Sequence, residues 1–122
     1  APPTMTGAFF GAAHGVAPDV LLGTLFRGAG ADGVIYVNAG GRFTAWSVAQ
    51  CRAINERLRA PLGPIRPACP VPGGGVDADR VPYWVEQYGA DTLFLIGASL
   101  LRQPDVEAAT RRVVETLRRY EA

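Results

Sequence analysis

No lysine occurs in this sequence: all 12 basic residues are arginine. On a side chain a Schiff base or a carbamate needs the ε-amine of lysine, so neither can form on a side chain here. Cysteine is scarce. Cys51 and Cys69 lack C-x-x-C spacing and, in a chain of this size, read as reduced and mostly buried thiols rather than a disulfide. No apolar run approaches the roughly 20 residues that span a bilayer, and no basic segment precedes the first apolar residues. Charge of one sign is also missing: the formal net charge is +1 and the charges are scattered, so neither nucleic acid nor an anionic membrane is an expected partner. The default location left by these absences is cytoplasmic. The chain starts on Ala1 without an initiator methionine, which leaves a trimmed or excised segment open. Its 122 residues suit one modest domain, taken as residues 1–122.

What is present is an alternation. Four times a short apolar run passes through a Gly-rich or polar loop into a helical pattern, as in βα units around a parallel sheet. Strands are expected over residues 4–10, near Val34-Ile35-Tyr36-Val37, over 65–71 and over 91–97. Pro18 and the apolar face Leu21, Leu22, Leu25 and Phe26 predict a first helix that stops at Gly28. Ser47, three residues before Gln50, predicts a capping box, and Cys51, Ile54 and Leu58 follow on one face of that helix, which reads Cys51 as core. Asp79 is expected to cap a helix through Val81, Trp84, Val85 and Tyr88 that closes at Gly89. A last helix from Asp105 carries Val106, Ala109, Val113, Leu117 and Tyr120 on one stripe, with Arg111, Arg112, Arg118 and Arg119 as a solvated basic face. A complete (β/α)8 barrel takes about 250 residues, so four units in this length amount to half of one.

Ligands of parallel α/β sheets bind at the carboxyl ends of the strands, and the informative residues fall there. The second strand delivers Asn38-Ala39-Gly40-Gly41-Arg42, the third Gly73-Gly74-Gly75 and the fourth Gly97-Ala98-Ser99. Glycines at a strand end let backbone N–H groups line a nest around phosphate oxygens. A glycine run is also common in plain turns, and both readings stand. Arg42 is either a cation closing over a ligand or a solvated loop arginine. His14, the one histidine, is either an acid/base group or a structural residue at a helix start.

The stretches HGVAPDVLLGTLFRGAGADGVIYVNAGGRF, CRAI, PVPGGG, DRVPYWVEQYGADTLFLIGASLL and PDVEAATRRVVE together resemble the C-terminal part of the RuBisCO large-chain superfamily, and among its members the RuBisCO-like proteins of form IV. The resemblance implies the last four βα units of that barrel. It makes the loop after the second strand the mobile loop six, with Asn38 and Arg42 as its candidate catalytic side chains. Arg42 stands where carboxylating members carry a lysine, which argues for enolisation, isomerisation or decarboxylation of a phosphorylated keto-sugar or keto-thiosugar. Gly74, Gly75 and Gly97 match the backbone phosphate grip. Ala98 stands where many relatives have glycine, Gly73 replaces a serine, and Ser99 completes the set. The family's magnesium is held by a lysine, often carbamylated, and two carboxylates on strands this chain lacks, so no metal ligand is assigned here and no cofactor is expected on this chain. The strand-five histidine would fall near Pro2, and His14 matches a different histidine.

The expected architecture is therefore α/β, four βα units forming the C-terminal half of a TIM barrel, with a sugar-phosphate ligand. A half-barrel exposes two strand edges and its inner face, which predicts a homo-oligomer or a complementary N-terminal half-barrel as partner. A noncatalytic half-barrel scaffold and a flavodoxin-like phosphate-ligand domain, with helices on both sheet faces, remain as alternatives.

Overall fold

In the computed structural model, which describes residues 6–11, 13–43 and 46–120, the chain runs α1 (Thr6–Phe9), a π-helical segment (Asp19–Leu25) continuing into α2 (Phe26–Gly28), β1 (Gly33–Val37), α3 (Val48–Arg59), β2 (Cys69–Gly73), α4 (Val81–Tyr88), α5 (Ala98–Leu101) and α6 (Val106–Arg118). β1 and β2 are parallel and paired from Gly33 opposite Cys69 to Val37 opposite Gly73. Val34 and Tyr36, alternate residues of β1, are buried with Cys51, Ile54 and Leu58 of α3 and Val81, Trp84, Val85 and Tyr88 of α4. Apolar spacing of about four residues on each helix meets a period of two on the strand, which places the core between this sheet face and the helices.

Two of the expected strands differ. Thr6–Phe9 is helical, and the remainder of residues 4–10 apart from Phe10 lies outside the described residues. Gly7 and Ala8 offer little surface to a ladder, and a helical turn satisfies their backbone locally. Phe10 instead sets its ring edge-on to Trp46, 5.5 Å between centroids. The last expected strand, 91–97, is reduced to one parallel bridge, Gly73 to Leu95. The reason lies in β2. Leu93 N donates to Pro70 O at 3.0 Å and Leu95 N to Pro72 O at 3.1 Å. The return bonds would need N–H groups on Pro70 and Pro72, and proline has none. Pro70 and Pro72 therefore only accept, and the bridge closes beyond them through the Gly74 N–H facing Leu95 O. β2 itself starts four residues later and ends two residues later than expected, since Ile65 closes a turn with Leu62.

Caps follow the sequence with one exception. Ser47 and Gln50 form the capping box of α3, Asp105 accepts from Ala108 N at the start of α6, and Gly89 ends α4 at φ 85°. Asp79 does not cap α4. The carboxylate of Asp77 takes that place, accepting from Asp79 N at 3.1 Å and Arg80 N at 2.9 Å, while Asp79 pairs with Arg112. On α6 only Val113 is buried, Ala109 and Leu117 are half-buried, and Val106 and Tyr120 stay exposed, so the stripe contacts the fold in its middle alone. The Arg111–Glu107 and Arg112–Asp79 pairs are exposed at both partners and stabilise little.

The sequence reading missed Arg27, which is 1% exposed. Its guanidinium has carbonyl oxygens as partners: Nε donates to Arg66 O at 2.7 Å, Nη1 to Ala60 O at 2.6 Å and Arg57 O at 3.1 Å, and Nη2 to Ile65 O at 2.8 Å. Arg57 and Ala60 lie at the C-terminal end of α3, where the helix dipole favours a cation. One side chain thus closes α3 and anchors the connection to β2. Replacing it by methionine strands those carbonyls without donors, and Arg27→Met should lower stability by about 1–3 kcal/mol in urea unfolding; a loss under about 0.5 kcal/mol would show that water meets these carbonyls equally well.

Candidate functional site

The parallel register sets the ends of β1 and β2 side by side, and the Gly73–Leu95 bridge adds the end of the third segment. The loops expected to carry chemistry therefore lie along one edge, as the sequence pattern predicts. Two of them touch through their backbones. Gly74 and Gly75 have φ of 104° and 66°, a region that favours glycine. A Cβ on Gly75 would lie 1.9 Å from Gly40 O, and one on Gly41 3.3 Å from the Cα of Gly74. The N–H of Gly75 has no backbone acceptor among the described residues, whereas the Gly73–Leu95 bridge sets the Gly74 N–H toward Leu95 O.

Asn38 joins these loops. Its N donates to Gly73 O at 2.9 Å, its Nδ2 to Gly74 O at 2.9 Å, its carbonyl accepts from Gly41 N at 3.1 Å, and its Oδ1 accepts from the Tyr88 hydroxyl at 2.7 Å. The residue is fully buried. Arg42 is exposed, its guanidinium carbon 5.0 Å from the Phe43 ring centroid, and Phe43 is exposed too. These two side chains form the outer part of the loop, as a mobile cation would require. Gly97 precedes α5 as its N-cap, Ala98 is exposed, and Ser99 donates its hydroxyl to Val76 O at 2.6 Å. That bond ties the third loop to the residue following Gly75. A cavity of about 340 Å³ lies between α5, α6 and residues 77–79, lined in part by Ser99, Arg102, Gln103 and Arg112. It shares only Ser99 with the expected phosphate loops. His14 is exposed in the turn before the π-helical segment.

Behind the loops the polar groups are held neutral. Burial pushes the phenol pKa of Tyr36 and of Tyr88 well up, and it raises the Cys51 thiol as well. Tyr36 donates to Asn55 Oδ1 at 2.6 Å and Cys51 points its sulfur at Val37 O at 3.7 Å. Cys51 is a core residue, as its helical spacing predicts, and both cysteines are free.

No family model matches the chain. Individual proteins do. It is 39% identical over 120 residues to ribulose bisphosphate carboxylase-like protein 1 of Rhodopseudomonas palustris, covering 98% of this chain and 29% of that protein. It is 43% identical over 90 residues to 5-methylthioribulose-1-phosphate isomerase of Rhodospirillum rubrum, covering 74% of this chain and 24% of that one. The crystal structure of a RuBisCO-like protein from Rhodopseudomonas palustris superposes with a TM-score of 0.81 at 34% identity, over 99% of this chain and 30% of the other. The chain belongs to the RuBisCO-like proteins. It spans under a third of the length of these relatives, matching their C-terminal part.

The fold of a RuBisCO-like protein is a TIM barrel, and the α/β order seen here fits a part of one. Phe94 and Ile96 turn toward the helices and the core, whereas Leu93 and Leu95, on the other face, are 55% and 47% exposed. Helices on both sheet faces, which the flavodoxin-like alternative requires, would cover those leucines. The magnesium site implied for the family finds no fit: no group of three or more His, Cys, Asp or Glu side chains converges among the described residues. Asp77, the acid nearest the glycine loop in sequence, is occupied at the start of α4. Among the described residues no helix is long and apolar enough to cross a membrane.

The residues that the sequence reading overlooked are the polar tips of α4. Trp84 and Tyr88 were expected as apolar core, yet each sends a hydrogen bond into the glycine loops. Their identity is the available signal, because a buried tryptophan or tyrosine needs a partner for its N–H or O–H. The loop contact itself is tested by a single methyl group. Gly75→Ala meets both a positive φ and a backbone oxygen and should destabilise the chain by about 1–3 kcal/mol or more. Gly28→Ala, with open space around it, should change stability by less than about 1 kcal/mol. Equal melting temperatures for the two variants would refute the close approach of the loops.

Proposed function

We propose that this chain supplies the phosphate-binding loops and the mobile loop of a RuBisCO-like enzyme acting on a phosphorylated keto-sugar or keto-thiosugar. The observation that carries the reading is the meeting of three small-residue loops at one sheet edge, with the N–H of Gly75 free of a backbone acceptor among the described residues. Paired with positive φ, such an N–H helps form a concave nest that suits a phosphate dianion. Gly97, Ala98 and Ser99 complete the grip from the neighbouring segment. A relative that isomerises a phosphorylated methylthioribulose supports the substrate class.

The reaction class is enolisation, isomerisation or decarboxylation. Arg42, exposed on the loop after β1, closes over the bound ligand and meets its developing negative charge. Asn38 contributes by holding that loop against Gly73 and Gly74. Among the described residues no set of hard oxygen ligands converges, so magnesium-dependent turnover would draw its ligands from elsewhere, and the isolated chain would bind without turning over. The exposed leucines of the inner sheet face mark where a complementary N-terminal half-barrel, or a second copy, would pack. Light scattering with and without such a half should report the association; a folded monomer that gains no mass would remove this part of the reading.

Titration with inorganic phosphate, followed by the amide resonances of Gly74 and Gly75, tests the site directly. Saturable shifts confined to the three loops are expected. Gly74→Val, which strains a φ of 104° and fills the nest, should abolish them. Absence of saturation in the wild-type chain would reject the phosphate site.

A further inference from the structure

Arg80, Trp84 and Tyr88 lie at i, i+4 and i+8, on one face of α4 and the residue that precedes it. Each donates one hydrogen bond to the loops after β1 and β2: Arg80 Nη1 to Gly40 O at 3.3 Å, Trp84 Nε1 to Gly75 O at 3.1 Å, and the Tyr88 hydroxyl to Asn38 Oδ1 at 2.7 Å. Asn38 passes the last of these on, through its Nδ2, to Gly74 O at 2.9 Å. The three side chains also stack on one another. The Arg80 guanidinium carbon lies 5.1 Å from the Trp84 ring centroid, and the Trp84 and Tyr88 rings lie 5.3 Å apart at an interplanar angle of 18°. Trp84 and Tyr88 are both buried. A Cβ on Gly40 would fall 2.4 Å from a Trp84 ring carbon, so the stack is pressed directly against the loop.

This arrangement fixes which way the loop peptides face. In a trans peptide the carbonyl and the following N–H point in opposite directions, and the described residues contain no cis bond. Holding the oxygens of Gly74 and Gly75 on the α4 side therefore turns the N–H groups of Gly75 and Val76 to the other side. A run of three glycines can reach many backbone conformations, including ones that present a carbonyl oxygen where the N–H now points. An anion would be repelled by such an oxygen.

We propose that Arg80, Trp84 and Tyr88 are positioning residues: a stacked set on α4 that locks the carbonyls of both glycine loops inward and so holds the loop N–H groups ready for an anion. The inference rests on the phosphate reading of these loops for its consequence, and on the hydrogen bonds alone for its mechanism. Tyr88→Phe removes one oxygen atom and Trp84→Phe removes the indole donor. Ile54→Val, in the core and away from the loops, serves as a variant of altered packing.

The test has two readouts on the whole chain. Without ligand, the amide order parameters of Gly75 and Val76 should fall from the rigid range, about 0.85, to below about 0.6 in Tyr88→Phe and Trp84→Phe but not in Ile54→Val. With inorganic phosphate, the same two variants should bind at least about tenfold more weakly than wild type while Ile54→Val is unchanged. Tyr88→Phe alone keeps the test readable if Trp84→Phe does not fold. Loop order and phosphate affinity both unchanged in Tyr88→Phe would overturn the proposal. Should the wild-type chain not bind phosphate, the phosphate reading falls while loop order still decides the positioning role.

Discussion

Two glycine loops meet through their backbones, and most of the architecture around them serves that contact. With a prospective Cβ of Gly75 only 1.9 Å from Gly40 O, neither a side chain nor a water fits between the loops at that point. Polar backbone brought so close needs its hydrogen bonds assigned, and Asn38 assigns several at once: Gly73 O, Gly74 O and Gly41 N all bond to it. A buried carboxamide of this kind contributes only when all its partners are in place, because an unmet donor or acceptor costs about 1–3 kcal/mol. The Tyr88 hydroxyl supplies the remaining bond. The strand ends, the loops and α4 are thus parts of one polar unit enclosed by an apolar core.

Prolines shape the opposite side of the same unit. Pro70 and Pro72 point their carbonyls toward residues 93–95 and have no N–H to offer there, whereas Cys69 and Gly73 complete their bonding toward β1 through Asp32 and Asn38. β2 is strongly held on one edge and half-held on the other. The prolines of β2 therefore hold the third segment only by accepting, from Leu93 N and Leu95 N, and it leaves Leu93 and Leu95 on an uncovered face. A sheet with one covered face is what a portion of a TIM barrel becomes when its inner surface is open. The 30% coverage of the superposed RuBisCO-like structure agrees with that geometry.

The parts of the fold that were legible in the sequence are those decided by local spacing. Ser47 with Gln50, Cys51 with Ile54 and Leu58, Asp105, and Gly89 all behave as their positions imply, since caps and helical faces depend on neighbours within a few residues. What depended on the partner across space was less readable. Residues 6–9 have an apolar pattern that suits a strand but become a helix, and residues 91–97 have strand composition but face a proline-bearing neighbour. Asp79 and Asp77 are equally plausible caps by residue type, and only the backbone path chose Asp77. At the site, the glycine loops stood out because runs of small residues recur at successive strand ends, although a single such run also suits a plain turn. The three donors behind them did not, because tryptophan and tyrosine in an amphipathic helix read first as apolar bulk.

The absence of lysine gains meaning beside the way arginine is used. Arg27 and Arg59 each reach several backbone or side-chain oxygens, Arg27 at Arg57, Ala60, Ile65 and Arg66, and Arg59 at Tyr88 O, Asp91 O and the Thr92 hydroxyl. A planar fork of five N–H donors can satisfy carbonyls that diverge in direction, which a compact ammonium cannot do from one position. Arg80 applies the same property to Gly40 O while stacking on Trp84. Arginine is here a structural donor to carbonyls at the ends of helices and loops. Arg42 differs, because among the described residues its contact is with the exposed Phe43 ring and not with an oxygen. Its guanidinium lies at the outer edge of loops whose Gly40, Gly74 and Gly75 carbonyls are held by Arg80, Asn38 and Trp84, so on this loop the exposed cation and the fixed backbone are kept on separate residues.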